Sequence, residues 1–233
     1  MTNDFADRHV VVTGGAGALG TAVVSELLAR GAVVHVPVYA PTELDAFAHR
    51  DHDRVHVRAG LDFTVEATVE SYYGELPGLW ASIHVAGGFD MKPIAETSLE
   101  DFLKLMNTNA VTCFLSCREA VRAIRRSGGE GRIVNVAAKP ALVPTAGLAA
   151  YTASKAVVAS LTHSLSEELA GEGIWVNAIA PSVIDTPANR KGMPDADHAA
   201  WPEPAQIAKT IAQLASVDNL VARGAIVPVY GRS

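Results

Sequence analysis

The sequence has few cysteines, no excess of basic charge and no long apolar run. Its two cysteines, Cys113 and Cys117, are too few for a disulfide framework or a four-ligand zinc site, so we expect both to be thiols in the core. A formal net charge of −6, spread over scattered acids and bases, argues against nucleic acid and anionic membranes as partners. The N-terminal residues lack a signal-peptide pattern, and no apolar run is long enough to span a bilayer. We therefore expect a cytoplasmic location and a small-molecule substrate.

Short β-rich runs alternate with longer helical patterns along the 233 residues, of which 49% are hydrophobic. This alternation predicts βαβ units, and the Val and Ile content of the runs suits strands that helices cover on both faces. We expect one α/β domain over residues 1–233, with a doubly wound parallel sheet of about seven strands. The predicted strands are 9–12, 32–36, 55–57, 82–86, 132–136, 175–179 and 225–229, and the predicted helices are 18–30, 64–75, 99–126, 149–171 and 203–216.

A glycine-rich turn follows the first predicted strand and opens the first predicted helix. From Thr13 to Gly20 it reads TGGAGALG. Glycines permit a tight turn and a close backbone approach to a pyrophosphate, and the helix N-terminus offers unpaired N–H groups to that anion. This context predicts a Rossmann-like dinucleotide site. The residues expected to contact the cofactor in this turn are Thr13, Gly14, Gly17, Ala18, Leu19 and Gly20.

The end of the second predicted strand leaves the choice between NAD and NADP open. The run from Val36 to Ala40, which includes Tyr39, has no acid for the ribose hydroxyls and no base for a 2′-phosphate. Glu43, on the following helical stretch, would repel a 2′-phosphate. The sequence therefore leans toward NADH, with Tyr39 beside the adenosine end of the cofactor.

Tyr151 and Lys155 are four residues apart in a predicted helix, so they share one helix face. A phenol with a pKa near 10 is a poor acid or base at neutral pH, but a neighbouring cation favours the phenolate and brings the proton within reach of catalysis. Lys155 can supply that charge and also hold the nicotinamide ribose. The pair is the predicted catalytic centre.

Together these motifs resemble the short-chain dehydrogenase/reductase family over essentially the whole chain. The resemblance rests on the glycine turn, on Ala86-Gly87 after the fourth strand, on Asn109 in the next helix, on the Tyr-x-x-x-Lys pattern and on the run NAIAP that ends at Pro181. It implies hydride transfer between NAD(P)H and a substrate, with Asn109 ordering a water in the proton relay. It also implies that further residues contact the cofactor, namely Asp62 at the adenine, Ala86 and Gly87, Pro181, Ile184 and Thr186.

The same resemblance implies a homo-oligomer, either a tetramer or a dimer. An apolar stripe in the predicted helix 99–126 would suit a buried oligomer face, although it could equally face the sheet. The stripe consists of Leu103, Met106, Ala110, Phe114 and Cys117.

Three positions depart from the family pattern. Ala18 replaces a glycine and crowds the approach to the pyrophosphate, and His84 replaces an amide, so we expect it to brace the core. Ala138 lies where a serine would donate a hydrogen bond to the substrate carbonyl, and losing such a donor costs on the order of 10²–10³ in rate. Either Thr145 or Ser182 supplies a replacement hydroxyl, or the substrate does not need that donor.

Local similarity to dihydropteridine reductases favours a substrate that does not need the donor. It covers Val85–Gly88, Ala138–Leu142 and Ile184–Asp197, with Trp201 beyond. Those reductases also lack the serine and use the Tyr-Lys pair on a quinonoid pterin imine. The similarity implies a flat conjugated C=N or C=O substrate.

Residues 187–202 contain three prolines and no strand alternation, which predicts a mobile flap over the substrate. Met193 and Trp201 could cover a substrate ring, or they could pack within a surface loop.

Two functional hypotheses remain open. The first is an NAD(P)-dependent oxidoreductase. The second is a regulatory protein that binds the nucleotide with weak or no catalysis, which Ala138, Ala18 and His84 motivate. Intact Tyr151, Lys155 and Asn109 oppose the second hypothesis, because a buried lysine beside a phenol is costly without a function. The histidine-rich run His49–His56 lacks the spacing of a coordination shell, so no metal is expected.

Overall fold

The computed structural model describes residues 3–143 and 145–233, and its centre is a seven-stranded parallel sheet. The strand order is β3-β2-β1-β4-β5-β6-β7. All seven predicted strands are confirmed to within two residues. They are β1 (His9–Thr13), β2 (Val33–Pro37), β3 (Val55–Arg58), β4 (Ala81–His84), β5 (Gly131–Val136), β6 (Ile174–Pro181) and β7 (Ile226–Val229).

Helices cover both faces of the sheet, as the buried Val and Ile runs predict. One core lies under α1 and α7, and a second lies under α2, α4 and α5. The helices are α1 (Ala18–Ala29), α2 (Glu66–Gly74), α3 (Leu99–Leu105), α4 (Thr112–Arg126), α5 (Ala149–Leu169), α6 (Pro187–Gly192) and α7 (Pro204–Ala215). None of the helices within the described residues is long and apolar enough to cross a membrane.

The predicted single helix 99–126 is three pieces in the structure. A π-helical segment, Met106–Val111, separates α3 from α4. The extra residue of a π-turn rotates the following helix face, so the predicted apolar stripe does not form one surface. Ala110 and Cys117 are buried, whereas Leu103 and Phe114 are exposed.

The segment 187–202 has more regular structure than its prolines suggested. Pro187 is the first residue of α6, where a missing N–H costs nothing, and the Thr186 hydroxyl accepts a hydrogen bond from Asn189 N (3.2 Å) as the N-cap. A short turn at His198–Ala200 follows. The first half of the segment is therefore helical, and its role as a mobile flap stays a prediction.

Candidate active site

The carboxyl ends of β1 and β4 meet where the strand order reverses, and the predicted site residues lie around this point. In doubly wound sheets, ligands bind in the crevice at this position. Thr13 ends β1, and its hydroxyl accepts a hydrogen bond from Ala86 N (3.3 Å). The glycine turn and the segment after β4 are thus held against one another.

The glycine turn has the geometry that its sequence predicts. Gly14 has φ +67°, and a Cβ there would lie 2.7 Å from Ala86 N. A Cβ at Gly20 would lie 2.0 Å from Gly14 O, so the turn can close on the helix only with glycine at both positions. Gly17 is the N-cap of α1 and has no side chain to satisfy the first N–H groups of the helix, which leaves them available to an anion. Ala18 and Leu19 are the first two residues of α1.

The residues that follow β2 and β3, where the adenosine end of a cofactor is expected, form hydrogen bonds with near neighbours in the chain. Tyr39 follows β2 and is exposed. The Glu43 carboxylate accepts a hydrogen bond from Ala40 N (2.8 Å), which keeps the negative charge at the end of β2. One oxygen of Asp62 accepts hydrogen bonds from Thr64 N (2.8 Å) and the Thr64 hydroxyl (2.6 Å), and so orders the approach to α2.

Lys155 lies in the second turn of α5 and is buried. Its ammonium donates a hydrogen bond to the Val136 carbonyl at the end of β5 (2.9 Å). Burial lowers the pKa of Lys155 to about 8, although the nearby Cys113 thiol acts in the opposite direction. The ammonium is therefore fixed in the crevice and still largely protonated at neutral pH.

Tyr151 lies one turn before Lys155, and burial raises its pKa to about 12. The expectation that Lys155 lowers this pKa is wrong for this structure, because the ammonium is directed at the Val136 carbonyl and burial dominates. At neutral pH the phenol keeps its proton, as a proton donor must. The exposed ring of Phe89 packs edge-to-face on Tyr151, with ring centroids 5.0 Å apart.

Asn109 lies in the π-helical segment and braces the crevice. Its Oδ1 accepts a hydrogen bond from Gly88 N (2.9 Å), and its Nδ2 donates to Gly88 O (3.0 Å) and to Ser154 Oγ (3.0 Å). A Cβ at Gly87 would lie 2.7 Å from Asn109 Oδ1 and 3.2 Å from Lys155 Nζ. Gly87 thus keeps open the space between these two side chains.

Ala138 lies just beyond β5 with 3% of its surface exposed. It precedes a short turn over Lys139–Ala141, and its side chain has no hydrogen-bond donor. The two proposed replacement hydroxyls are engaged elsewhere. Thr145 donates its hydroxyl proton to Val143 O (3.2 Å), and Ser182 donates to Tyr230 O (3.0 Å). A hydroxyl has one proton to donate, so neither residue replaces the missing donor in this arrangement.

The segment after β6 bounds the other side of the crevice. Pro181 is the last residue of β6, and the Ile184 carbonyl accepts a hydrogen bond from Asn189 Nδ2 (2.8 Å), which joins it to α6. Met193 is partly exposed, whereas Trp201 is only 9% exposed and packs on His198 with ring centroids 4.7 Å apart. Of the two residues predicted to cover a substrate ring, Met193 has the more accessible side chain.

Sequence reasoning did not assign three residues that contact the predicted set. Phe89, Gly88 and Ser154 touch the predicted catalytic residues Tyr151 and Asn109. Gly88 and Phe89 directly follow the predicted Ala86-Gly87, and Ser154 lies inside the Tyr-x-x-x-Lys pattern. Their positions next to, or inside, the predicted motifs could have marked them as candidates.

Comparison with known proteins agrees with the fold and with the motifs. A family model described as short chain dehydrogenase matches residues 8–197. The chain is 34% identical over 191 residues to 2-(R)-hydroxypropyl-CoM dehydrogenase of Xanthobacter autotrophicus. This match covers 77% of this chain and 76% of that protein. It is also 34% identical over 206 residues to a 3-beta-hydroxysteroid dehydrogenase of Comamonas testosteroni, covering 83% of this chain and 78% of the relative.

A solved structure of ElxO with NADP bound has the same fold. The TM-score is 0.88 at 23% identity, over 97% of this chain and 98% of that one. Both the family match and the identity to the two dehydrogenases extend over most of the chain. The protein is therefore an oxidoreductase of the short-chain dehydrogenase family.

Proposed function

We propose that the protein uses NAD(P)H, with NADH favoured, to reduce a flat conjugated carbonyl or a quinonoid imine of the dihydropteridine type. The observation that carries this proposal is Ala138, a buried alanine two residues beyond Val136, whose carbonyl holds Lys155, while Tyr151, Lys155 and Asn109 are all present. The proton chemistry is retained, whereas the hydrogen-bond donor for an isolated carbonyl is absent at that position. A substrate that needs a proton but no separate oxyanion donor fits both facts.

The crevice suits a dinucleotide. The close approach at Gly14, the uncapped start of α1 at Gly17 and the space that Gly87 leaves beside Lys155 provide room for phosphate and ribose. The bound cofactor would supply or accept the hydride. NADP in the structurally similar ElxO supports a nicotinamide cofactor. Glu43, held at the end of β2, favours NADH over NADPH by repelling a 2′-phosphate.

Each catalytic residue has one task in the proposed reaction. Tyr151 donates its phenolic proton to the substrate atom that becomes an alcohol or an amine. The Lys155 ammonium, which the Val136 carbonyl holds in place, binds the ribose of the cofactor. Asn109 holds the Gly88 backbone and takes part in returning the proton from solvent.

The substrate class follows from what surrounds Tyr151. Phe89, which packs edge-to-face on Tyr151, is itself an exposed aromatic ring, so a flat ring system is favoured at this position. In a quinonoid imine the developing charge falls on nitrogen and a single proton from Tyr151 neutralises it, which makes the hydroxyl absent at Ala138 dispensable. The two dehydrogenase relatives are named for hydroxy compounds, which supports the carbonyl half of the proposal.

Two further proposals complete the functional picture. We expect the segment 187–202 to move over the bound substrate, with Met193 on its inner side. We also expect a homo-oligomer, because Leu103 and Phe114 leave apolar surface exposed on α3 and α4.

Turnover tests the proposed reaction. The absorbance of NADH and of NADPH is followed against quinonoid dihydropterin, an ortho-quinone and a simple ketone. We expect turnover of the conjugated substrates, and Tyr151→Phe should abolish it while cofactor binding, measured by fluorescence, persists. Cofactor binding with no turnover of any substrate would overturn the proposal and favour a regulatory protein.

Ala138→Ser tests the role of the absent donor. The new hydroxyl should raise ketone reduction by up to about 10²-fold and leave imine reduction nearly unchanged. Ala138→Cys, which adds a similar volume but a weaker donor, is the matched control and should give little gain. An equal rise with both substrate classes would contradict the assignment of Ala138.

A further inference from the structure

A buried group of metal-binding side chains lies between β4, β5 and α4, and the proposed reaction does not use it. The group, called here the core cluster, consists of His84, Cys113, Cys117 and Asn135. All four residues are at most 5% exposed. The ligand atoms of His84, Cys113 and Cys117 all lie within 4.8 Å of one another.

The hydrogen bonds around Asn135 fix the positions of the protons in the core cluster. Thr162 donates its hydroxyl proton to Val158 O (2.8 Å), so its oxygen accepts from Asn135 Nδ2 (2.9 Å). Asn135 Oδ1 is therefore turned toward His84, whose Nδ1 lies 2.8 Å away and donates its proton. Both thiols also donate to this oxygen, each at 3.5 Å. Three donors converge on one oxygen that has two lone pairs.

The spacing of these atoms matches a tetrahedral zinc site. Zinc bonds of about 2.3 Å to sulfur and about 2.1 Å to nitrogen or oxygen place neighbouring ligands about 3.6 Å apart. Cys113 Sγ and Cys117 Sγ are each 3.5 Å from Asn135 Oδ1, and Cys117 Sγ is 3.6 Å from His84 Nδ1. The 2.8 Å contact between His84 and Asn135 must lengthen, which follows when the proton between them leaves.

We propose that the core cluster binds one Zn²⁺, with Cys113 Sγ, Cys117 Sγ and His84 Nδ1 as the principal ligands and Asn135 Oδ1 as a weaker fourth. The two thiol protons pass to solvent as the ion binds. One divalent cation thus replaces two protons, and the net charge of the buried space does not change. This balance avoids the cost of burying an uncompensated charge.

His84 Nδ1 can lose its proton without leaving the imidazole charged. That proton is released as the metal binds, while Nε2 takes up a proton, so the imidazole stays neutral. Nε2 then donates to Ser82 Oγ, which lies 2.9 Å away. The Ser82 hydroxyl turns to donate to the Tyr73 phenol (2.8 Å). Such a second hydrogen bond from a ligating histidine is typical of metal sites.

A metal ligand must be a thiolate, and both thiols already point at the same oxygen, Asn135 Oδ1, so their sulfur atoms converge on the space that the ion would fill. The cluster is enclosed by protein, which is typical of a structural site. It joins two strands to α4, which begins at Thr112, three residues after Asn109. The ion would enter during folding, because no ligand is exposed afterwards.

Cobalt binding tests the proposal directly. The reduced protein is unfolded with chelator and refolded with Co²⁺, and a thiolate-to-cobalt charge-transfer band together with tetrahedral d–d bands is expected at one equivalent per chain. The sequence has only two cysteines, so such a band can come only from this cluster. Zinc content of the protein from zinc-supplemented cells, measured by mass spectrometry, should also be one equivalent.

Variants separate the cluster from adventitious histidine sites. Cys113→Ser with Cys117→Ser should abolish the band and the bound zinc, whereas His49→Gln with His52→Gln, in an exposed loop, should leave both unchanged. Refolded wild-type protein with native circular dichroism but no thiolate band would overturn the proposal, even if the double serine variant failed to fold. These measurements do not depend on turnover, so their outcome is independent of the proposed reaction.

Discussion

Three histidines on neighbouring strands make the stability of this protein sensitive to mild acid. The rings of His9, His35 and His56 stack across β1, β2 and β3, with centroids 5.1 and 5.0 Å apart. His35 is 8% exposed, and its Nε2 lies 2.8 Å from His9 Nδ1. Burial, together with the two neighbouring histidines, lowers the pKa of His35 from 6.5 to about 4.

The sign and size of the effect follow from this pKa. In the unfolded chain His35 takes up a proton near pH 6.5, whereas in the folded protein it does so only near pH 4. The unfolded state therefore binds more protons between these values, and stability falls as the pH falls through that window. At about pH 5 the unfolded residue is almost fully protonated and the folded residue about one tenth, which corresponds to a loss of about 2 kcal/mol relative to about pH 7.5.

Urea unfolding of wild-type protein and of His35→Gln at about pH 7.5 and about pH 5 measures this loss. Other groups also titrate in this range, so the quantity to compare is the change between the two pH values. Wild type should lose about 2 kcal/mol more than His35→Gln. The exposed His163→Gln is the control and should lose as much as wild type. Equal losses in wild type and His35→Gln would refute the reasoning.

Two further substitutions have matched controls within the chain. Gly14→Ala should lower the free energy of unfolding in urea by about 2 kcal/mol or more, because it adds a clash with the backbone after β4 to an unfavourable positive φ. Its control, Gly60→Ala, has φ +79° and nothing nearby, and should lower it by only about 1 kcal/mol. Arg132→Lys should lower the free energy of unfolding by about 2 kcal/mol or more, because the buried guanidinium donates to three backbone carbonyls and lies over two tryptophan rings. Its control, Arg122→Lys on the surface, should leave the free energy of unfolding nearly unchanged. A loss for Gly60→Ala equal to that for Gly14→Ala, or an unchanged midpoint for Arg132→Lys, would contradict these expectations.

The sheet was predictable from the sequence because parallel strands buried on both faces are unbroken apolar runs. Val10–Val12 and Ile133–Val134 illustrate this, and each lies in a strand as predicted. Tyr151 and Lys155 were found because their helix fixes their spacing. The short α6 was missed because a six-residue helix has too few turns for a periodicity, and only Thr186 before Pro187 marked its start.

Contacts between distant segments of the chain could not be predicted from the sequence. The high pKa of Tyr151 depends on the burial of its ring, and the engagement of Ser182 depends on Tyr230, 48 residues away. His84 and Asn135 lie on adjacent strands but 51 residues apart in the chain, which is why the cysteines alone did not indicate a ligand set. Side-chain direction and partner choice at such sites are decided by tertiary packing.

The π-helical segment at Met106–Val111 behaves as a one-residue insertion that the chain has retained within a long helix. Each residue of an α-helix turns the following part by about 100°, so removing one residue here would restore regular α-helical winding and rotate one flanking helix relative to the other. Asn109 could then no longer face Gly88 and Ser154 while α4 kept its packing against the sheet. The candidate crevice and the hydrophobic core thus need different helix registers, and this single extra residue lets α3 and α4 satisfy both without a loop between them.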